Sequence, residues 1–486
     1  MKKIKSGRKS LFLSFFSVVV LLVTSFAGYS LTREPPLPFM RRAETQLLDS
    51  TFRIDISTVT VTFDYFPLEY YVDCRALVEF TMRPGQSRAL IHLQPAIRDS
   101  NVVRSISLNG EVLNFSNEAD VKIISFEGTT QQALEFQRNL AADTVHTLDV
   151  SYRVTIPEGY PRFSSMVNDL EGRGNEQWFP TINTPHELAR HLLTFRVHGD
   201  IAFRCIGSGL VRETPSDVQQ WSLDTEREVA SYTIMWVLLP EEDTILEERL
   251  IGGVNVRIMA FVGQIPPSIA FAVLEQWLPE LGTNLGPFPM PRGLSIFLVS
   301  SGGGMEYYGA TITTLNSLEH EVFHMYFGCS TVNKTYRDSW LDEAINMWYE
   351  YSVDPGYAPI PADYMSNIVS GRSAIAVGFD RRAYDQGARI MEAVARELGG
   401  RYEMIDFLSY IHHKYSFTPF TTMDFLDFLE EYSGVDMTAR FLNWLYMGVE
   451  NGVTPGPSYY RSIHEEKVDM TPPQELLNKY GIRRIK

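Results

Sequence analysis

His320-Glu321-Val322-Phe323-His324 sets two imidazoles four residues apart, in a stretch whose apolar spacing predicts a helix from about Asn316 to Phe327, with Asn316 or Ser317 as N-cap and Gly328 as its stop. Residues at i and i+4 share one helical face a single turn apart, so both rings can reach one ion. That spacing suits zinc, and it raises the question of a third protein ligand. Glu343 supplies one: eighteen residues separate it from His324, and it lies on a second predicted helix running from Asp338 or Ser339 to Tyr351. Three protein ligands with an open fourth position are the pattern of a zinc ion that activates water. Glu321 directly follows the first ligand and projects beside the metal, where a carboxylate acts as general base in attack on a peptide carbonyl. Asp338, Asp342 and Glu350 are all available to fix the imidazole tautomers, and spacing does not choose among them. Two core histidines and a solvated glutamate would be the plainer account; the joint spacing of these residues argues against it.

Working outward, Leu294 to Val299 reads as a strand, followed by Gly302-Gly303-Gly304-Met305-Glu306 and an alternating run from Tyr308 to Thr314. No Lys-Ser/Thr pair opens a helix after these glycines, which argues against a phosphate loop. They read as close backbone approach to a substrate or as a hairpin turn. Earlier, Ser268 to Leu278 has helical spacing, which Pro279 and then Gly286-Pro287-Phe288-Pro289 are expected to end. From about Thr51 to Leu250 the chain reads as strands. Arg53 to Asp64 alternates through Ile54 and Ile56, shifts by one residue and resumes through Val59, Val61 and Phe63, as a bulge or break near Thr58 would produce. Leu148 to Val154 and Leu192 to Val197 repeat the pattern. The histidines of this half (His92, His146, His186, His191, His198) show no metal-ligand spacing, so it reads as a flanking, supporting region. Beyond Ala383 the chain is mostly helical to about Gly448, and 449–486 is an irregular, proline-containing tail with one short helix near Leu476.

With 486 residues, 44% of them hydrophobic, the chain can bury several cores. Its net charge is −16, and Lys2, Lys3, Lys5, Arg8 and Lys9 all fall in the first nine residues, so the body is more acidic still. An acidic body without a basic stripe argues against nucleic acid as a partner. The basic start and the mostly apolar run from Leu11 to Gly28 have the layout of an export signal, with Ser25-Phe26-Ala27 as a small-x-small cleavage site, at a length close to that of a bilayer span. Residues 1–28 are therefore read as a signal peptide or a membrane anchor, and the body as extracytoplasmic, secreted or membrane-attached. Residues 29–50, with Pro35, Pro36 and Pro38, form a linker. Three cysteines, Cys74, Cys205 and Cys329, are too few for a disulfide framework, although one pair could bridge.

Several segments, in order, resemble the membrane alanyl aminopeptidase family of gluzincins, which includes the leukotriene hydrolase. Trp340-Leu341-Asp342-Glu343-Ala344 is similar to its Trp-Leu-Asn-Glu-Gly segment, Gly303-Gly304-Met305-Glu306-Tyr307 to its Gly-x-Met-Glu-Asn motif, and Tyr384-Asp385-Gln386-Gly387-Ala388 to its Tyr-x-Lys-Gly segment. Trp178-Phe179-Pro180 with Pro185 is similar to an aromatic-Phe-Pro stretch of its β-rich domain. The resemblance implies an α+β multidomain fold, with a saddle-like β domain over 51–250 and a thermolysin-like catalytic domain over 251–448. It implies one zinc ion on His320, His324 and Glu343, peptides as substrates, Glu306 binding the free α-amino group with Gly303, Gly304 and Met305 also at the substrate, and Tyr384 donating to the oxyanion. Glu171 or Glu176 would supply a second carboxylate for the amine.

Tyr307, Met325-Tyr326, Ala344 and Gln386 depart from the family pattern, and Tyr307 and Gln386 are expected to border the substrate. Little follows the catalytic helices where long members carry a helical roof, so the cleft is expected to be open or to be covered by a second subunit. The leading expectation is a zinc aminopeptidase. The alternatives are a zinc endopeptidase with an open cleft and a non-catalytic peptide-binding ectodomain.

Overall fold

A computed structural model of the chain describes residues 53–446, apart from 126–131, 157, 166–174, 183–186, 214–217, 334–337, 352–356, 363 and 365–380. The expected leader, linker and C-terminal tail lie outside these residues. Among the described residues no helix is long and apolar enough to cross a membrane.

The first half is built on an eight-stranded sheet. Its long strands are Ile54–Phe66, Tyr71–Met82, His146–Thr155, Leu188–Val197 and Gln219–Ala230. Ile54–Phe66 runs parallel to Leu188–Val197 and antiparallel to Tyr71–Met82, with a register shift between Ile56 and Thr58. The shift sits where the alternation changes phase. Ile54 and Ile56 before it and Val59, Val61 and Phe63 after it all remain buried, because one extra residue on a bulged strand restores the inward face. Phe63, Phe163, Trp178 and Trp236 pack ring to ring at centroid separations of 5.0 to 5.9 Å, giving this half an aromatic core. A five-residue helix, α1 (Gln94–Arg98), lies beside it. All three cysteines are buried free thiols, so the bridge considered above does not form.

A second, five-stranded sheet has the order Thr244–Ile251, Val254–Phe261, Leu294–Leu298, Ala310–Thr313, Gly304–Tyr307. Its first strand pairs along its whole length with the second, so this sheet takes in the chain from residue 244 onward. Helix α2 (Pro267–Asn284) packs on it and continues through Pro279, which was expected to end it. The buried stripe Ala270, Phe271, Leu274, Leu278 and Leu281 extends past the proline, and packing of that stripe outweighs the lost backbone bond, which costs about 3 kcal/mol.

The histidine helix α3 spans Leu318–Phe323, after a single 3-10 turn at Leu315–Ser317, and is shorter than the spacing predicted. From His324 the backbone bonds tighten: Met325 N donates to Val322 O and Tyr326 N to Phe323 O, in the i→i−3 pattern. Gly328, at φ +121°, makes the turn that the sequence reading assigned to it. Then follow α4 (Trp340–Tyr351), α5 (Arg381–Leu398), α6 (Arg401–Tyr415), α7 (Thr422–Ser433) and α8 (Thr438–Tyr446). The chain is thus an α+β molecule, a β-rich first half followed by a sheet with a mainly helical remainder.

Candidate metal centre

Two helices and one loop bring three ligand atoms together. Nε2 of His320 and Nε2 of His324 are 3.2 Å apart, and Oε2 of Glu343 lies 3.3 Å from the first and 3.4 Å from the second. A tetrahedral zinc ion with bonds of roughly 2.0–2.1 Å sets neighbouring ligand atoms roughly 3.3–3.4 Å apart, so the triangle has the right edge and the right donor chemistry. Oε2 of Glu343 is buried and has no hydrogen-bond partner, which a cation between the three groups would correct. The residues present therefore fit zinc.

The rings are aimed from behind. Glu350 Oε2 lies 3.3 Å from Nδ1 of His320, and Nδ1 of His324 donates to the Phe327 carbonyl at 3.0 Å. With each ring proton on Nδ1, both Nε2 lone pairs face the triangle. Of the three carboxylates available for this task, Glu350 performs it. Asp338 instead accepts from the backbone N and hydroxyl of Thr422, at 2.8 and 2.9 Å, and so holds the start of α7. Asp342 accepts from Nδ2 of Asn333 at 2.8 Å. Sequence reasoning missed Asn346, whose Nδ2 donates to the His320 carbonyl at 2.9 Å and ties α4 to α3. Its spacing was a usable signal, because Glu343, Asn346 and Glu350 at i, i+3 and i+7 form one stripe of α4.

Glu321 is buried beside the triangle, and Gly304 makes room for it: a Cβ on Gly304 would stand 2.3 Å from Glu321 Oε1. Gly302, at φ +96°, makes the turn into that strand, while a Cβ on Gly303 would meet nothing. The glycine cluster thus combines a turn with a close approach, the approach being to a side chain of the site. Glu306 lies on the same edge strand, half-buried, with a carboxylate oxygen within 4.8 Å of ligand atoms of His324 and Asp342. Alternation puts Met305 and Tyr307 on the other face. Tyr307, expected to border the substrate, is 5% exposed and packs with Tyr160, Met235, Phe261 and Phe297, against which Met305 also lies. The hydroxyl of Tyr384 on α5 donates to Oε1 of Glu343 at 2.5 Å, and its ring lies 6.1 Å from that of His320 at 16° from parallel. Glu176 is buried in a 3-10 turn at Asn175–Gln177, and Glu171 and Pro185 lie outside the described residues.

The electrostatics of the site are set by burial and by the pairing of its carboxylates with the two imidazoles. Burial, with Glu306 and Glu343 adding to it against the two histidines, pushes Glu321 up to about 8. Burial raises Glu306 and Asp342 as well, against the pull of His324. Burial would also raise Glu343, but His324 and His320 hold it down to about 2. Burial pulls His320 down, yet Glu343 and Glu350 outweigh it and carry the ring up to about 9. Burial thus disfavours the charged form of three of the four carboxylates, and a cation held by the triangle would favour it again.

No family model and no curated protein sequence matches the chain. Solved structures do match in fold. The M1 zinc metallopeptidase from Deinococcus radiodurans is 17% identical with a TM-score of 0.60, over 83% of this chain and 94% of that one. A mutant of it bound to a Tyr-Ser-Ala substrate matches over 83% and 96%, at 16% identity and TM-score 0.60. Aminopeptidase A from Legionella pneumophila in complex with aspartic acid is 14% identical with a TM-score of 0.63, over 81% of this chain and 50% of that one. Native yeast LTA4 hydrolase is 16% identical with a TM-score of 0.62, over 83% and 69%. The fold is that of two-domain M1 zinc metallopeptidases.

Proposed function

We propose that this chain is a zinc-dependent metallopeptidase of the M1 family, and that it acts as an aminopeptidase removing N-terminal residues from peptides. The observation that carries the reading is the triangle of His320, His324 and Glu343 with two further carboxylates, Glu321 and Glu306, set beside it. Zinc held there would supply Lewis-acid activation of a water toward a peptide carbonyl. Glu321 takes the proton of the attacking water and delivers it to the leaving amine, in the space left by Gly304. Glu306 binds the free α-amino group, so that cleavage is counted from the N-terminus. Tyr384 turns its hydroxyl to the oxyanion as it forms, a contact made mainly in the transition state. The Tyr-Ser-Ala substrate of the Deinococcus protein agrees with peptides as the class. The N-terminal basic-apolar segment supports action outside the cytoplasm.

The test compares hydrolysis of aminoacyl-anilides with their N-acetylated equivalents, using Glu321→Gln as the inactive control. Cleavage of the free-amine substrates alone, lost in Glu306→Ala, is the expected result. Equal rates on both, or unchanged activity in Glu306→Ala, would overturn aminopeptidase action in favour of internal cleavage.

A further inference from the structure

We propose that Tyr384 is also a positioning residue of the metal site, its hydroxyl occupying one oxygen of Glu343 so that only the other faces the ion, with the Gly387–Ala344 contact setting that distance. The inference rests on the reading of His320, His324 and Glu343 as zinc ligands.

A carboxylate can meet a cation with one oxygen or with both, and the choice changes the coordination number. In Glu343 the two oxygens have different partners. Oε2 is turned to the two imidazoles, at 3.3 and 3.4 Å, while Oε1 accepts from the Tyr384 hydroxyl at 2.5 Å. A donor so close to one oxygen fixes the carboxylate's rotation and draws charge to the oxygen it bonds, which leaves the other to the metal. The Tyr384 ring also lies nearly parallel to that of His320, so its orientation is set against two of the three ligands.

Tyr384 and Glu343 belong to different helices, and the hydroxyl reaches its target only while α4 and α5 keep a fixed separation. Their close approach falls beside these side chains. A Cβ on Gly387, one turn beyond Tyr384, would stand 2.6 Å from Cβ and 3.2 Å from Cα of Ala344, the residue after Glu343. Ala344 is itself fully buried. One methyl group fills the gap between the helices, and a second would force them apart.

The experiment measures zinc affinity of the apo full-length protein by competition with a chromophoric chelator, alongside thermal melting of the same apo protein. Tyr384→Phe is expected to melt as the parent does and to bind zinc roughly 10- to 100-fold more weakly. The cobalt-substituted variant is expected to absorb less in the visible, as a second carboxylate oxygen raises the coordination number. Gly387→Ala is expected to weaken zinc in the same way, and adding Ala344→Gly to restore it, because the methyl then only changes helices. Parental zinc affinity in Tyr384→Phe, with turnover alone reduced, would overturn the inference. Failure of Ala344→Gly to recover what Gly387→Ala loses would overturn the part given to the helix contact. A parent protein that takes up no zinc would instead overturn the metallopeptidase reading beneath it.

Discussion

Gly304 lies against Glu321 so closely that a methyl group on it would stand 2.3 Å from Oε1 and 2.4 Å from Cδ of that carboxylate. Gly304→Ala therefore has to displace the Glu321 carboxylate, the proposed general base. Expected is a fall in kcat of roughly 10- to 100-fold with zinc content unchanged, against roughly 100- to 10,000-fold for Glu321→Gln. Steady-state kinetics with metal analysis of both variants checks the order.

Glu350 and Asp338 separate metal support from fold support. Glu350→Ala leaves Nδ1 of His320 without its carboxylate and is expected to weaken zinc by roughly 10- to 100-fold. Asp338→Ala removes two hydrogen bonds to Thr422 and is expected to cost about 1–2 kcal/mol of stability with zinc affinity kept. Chelator competition and denaturant unfolding on both proteins distinguish the two effects.

Removing zinc with a chelator is expected to abolish activity and lower the melting temperature, since a ligand bound only by the folded state stabilises it by mass action. Adding zinc back restores both. His320→Ala should melt at the same temperature with and without zinc.

Burial pushes His92, His191 and His412 each down to about 4. The unfolded chain then binds more protons than the folded one between about pH 4 and 6.5, so this stability is fully present above pH 6.5 and is lost as the pH falls toward 4. Each ring contributes about 1.4 kcal/mol per pH unit in that window. His191→Phe, which keeps an aromatic ring beside Phe179, is expected to flatten the acid side of a melting profile taken from pH 4.5 to 7.

Pro279 is exposed in the middle of α2, and an alanine there can donate the backbone bond that proline lacks. Pro279→Ala is expected to stabilise the protein by about 1–3 kcal/mol, seen as a raised melting temperature.

Much of the candidate site was legible because it is local. His320 and His324 share a helical face by periodicity alone, Glu321 follows from its place between them, and the phase change at Thr58 marks a bulge because strand side chains alternate strictly. Pro279 was misread for the opposite reason: its cost is local, but the buried stripe that offsets it is set by what the helix packs against. Tyr307 was misplaced because its neighbour Glu306 belongs to the site, and in a strand neighbours face opposite ways.

The sequence by itself determined the candidate donor set, His320, His324 and Glu343, with a carboxylate beside it, and the division into a strand-rich half and a helical one, since periodicities of two and 3.6 are written residue by residue. Tertiary structure alone decided that Glu350 and the Phe327 carbonyl aim the imidazoles, that Gly304 yields its space to Glu321, and that Tyr384 reaches Glu343 across two helices in contact at Gly387 and Ala344. Those are relations between segments distant in sequence, fixed by close packing and by the direction of hydrogen bonds, and no local pattern encodes them.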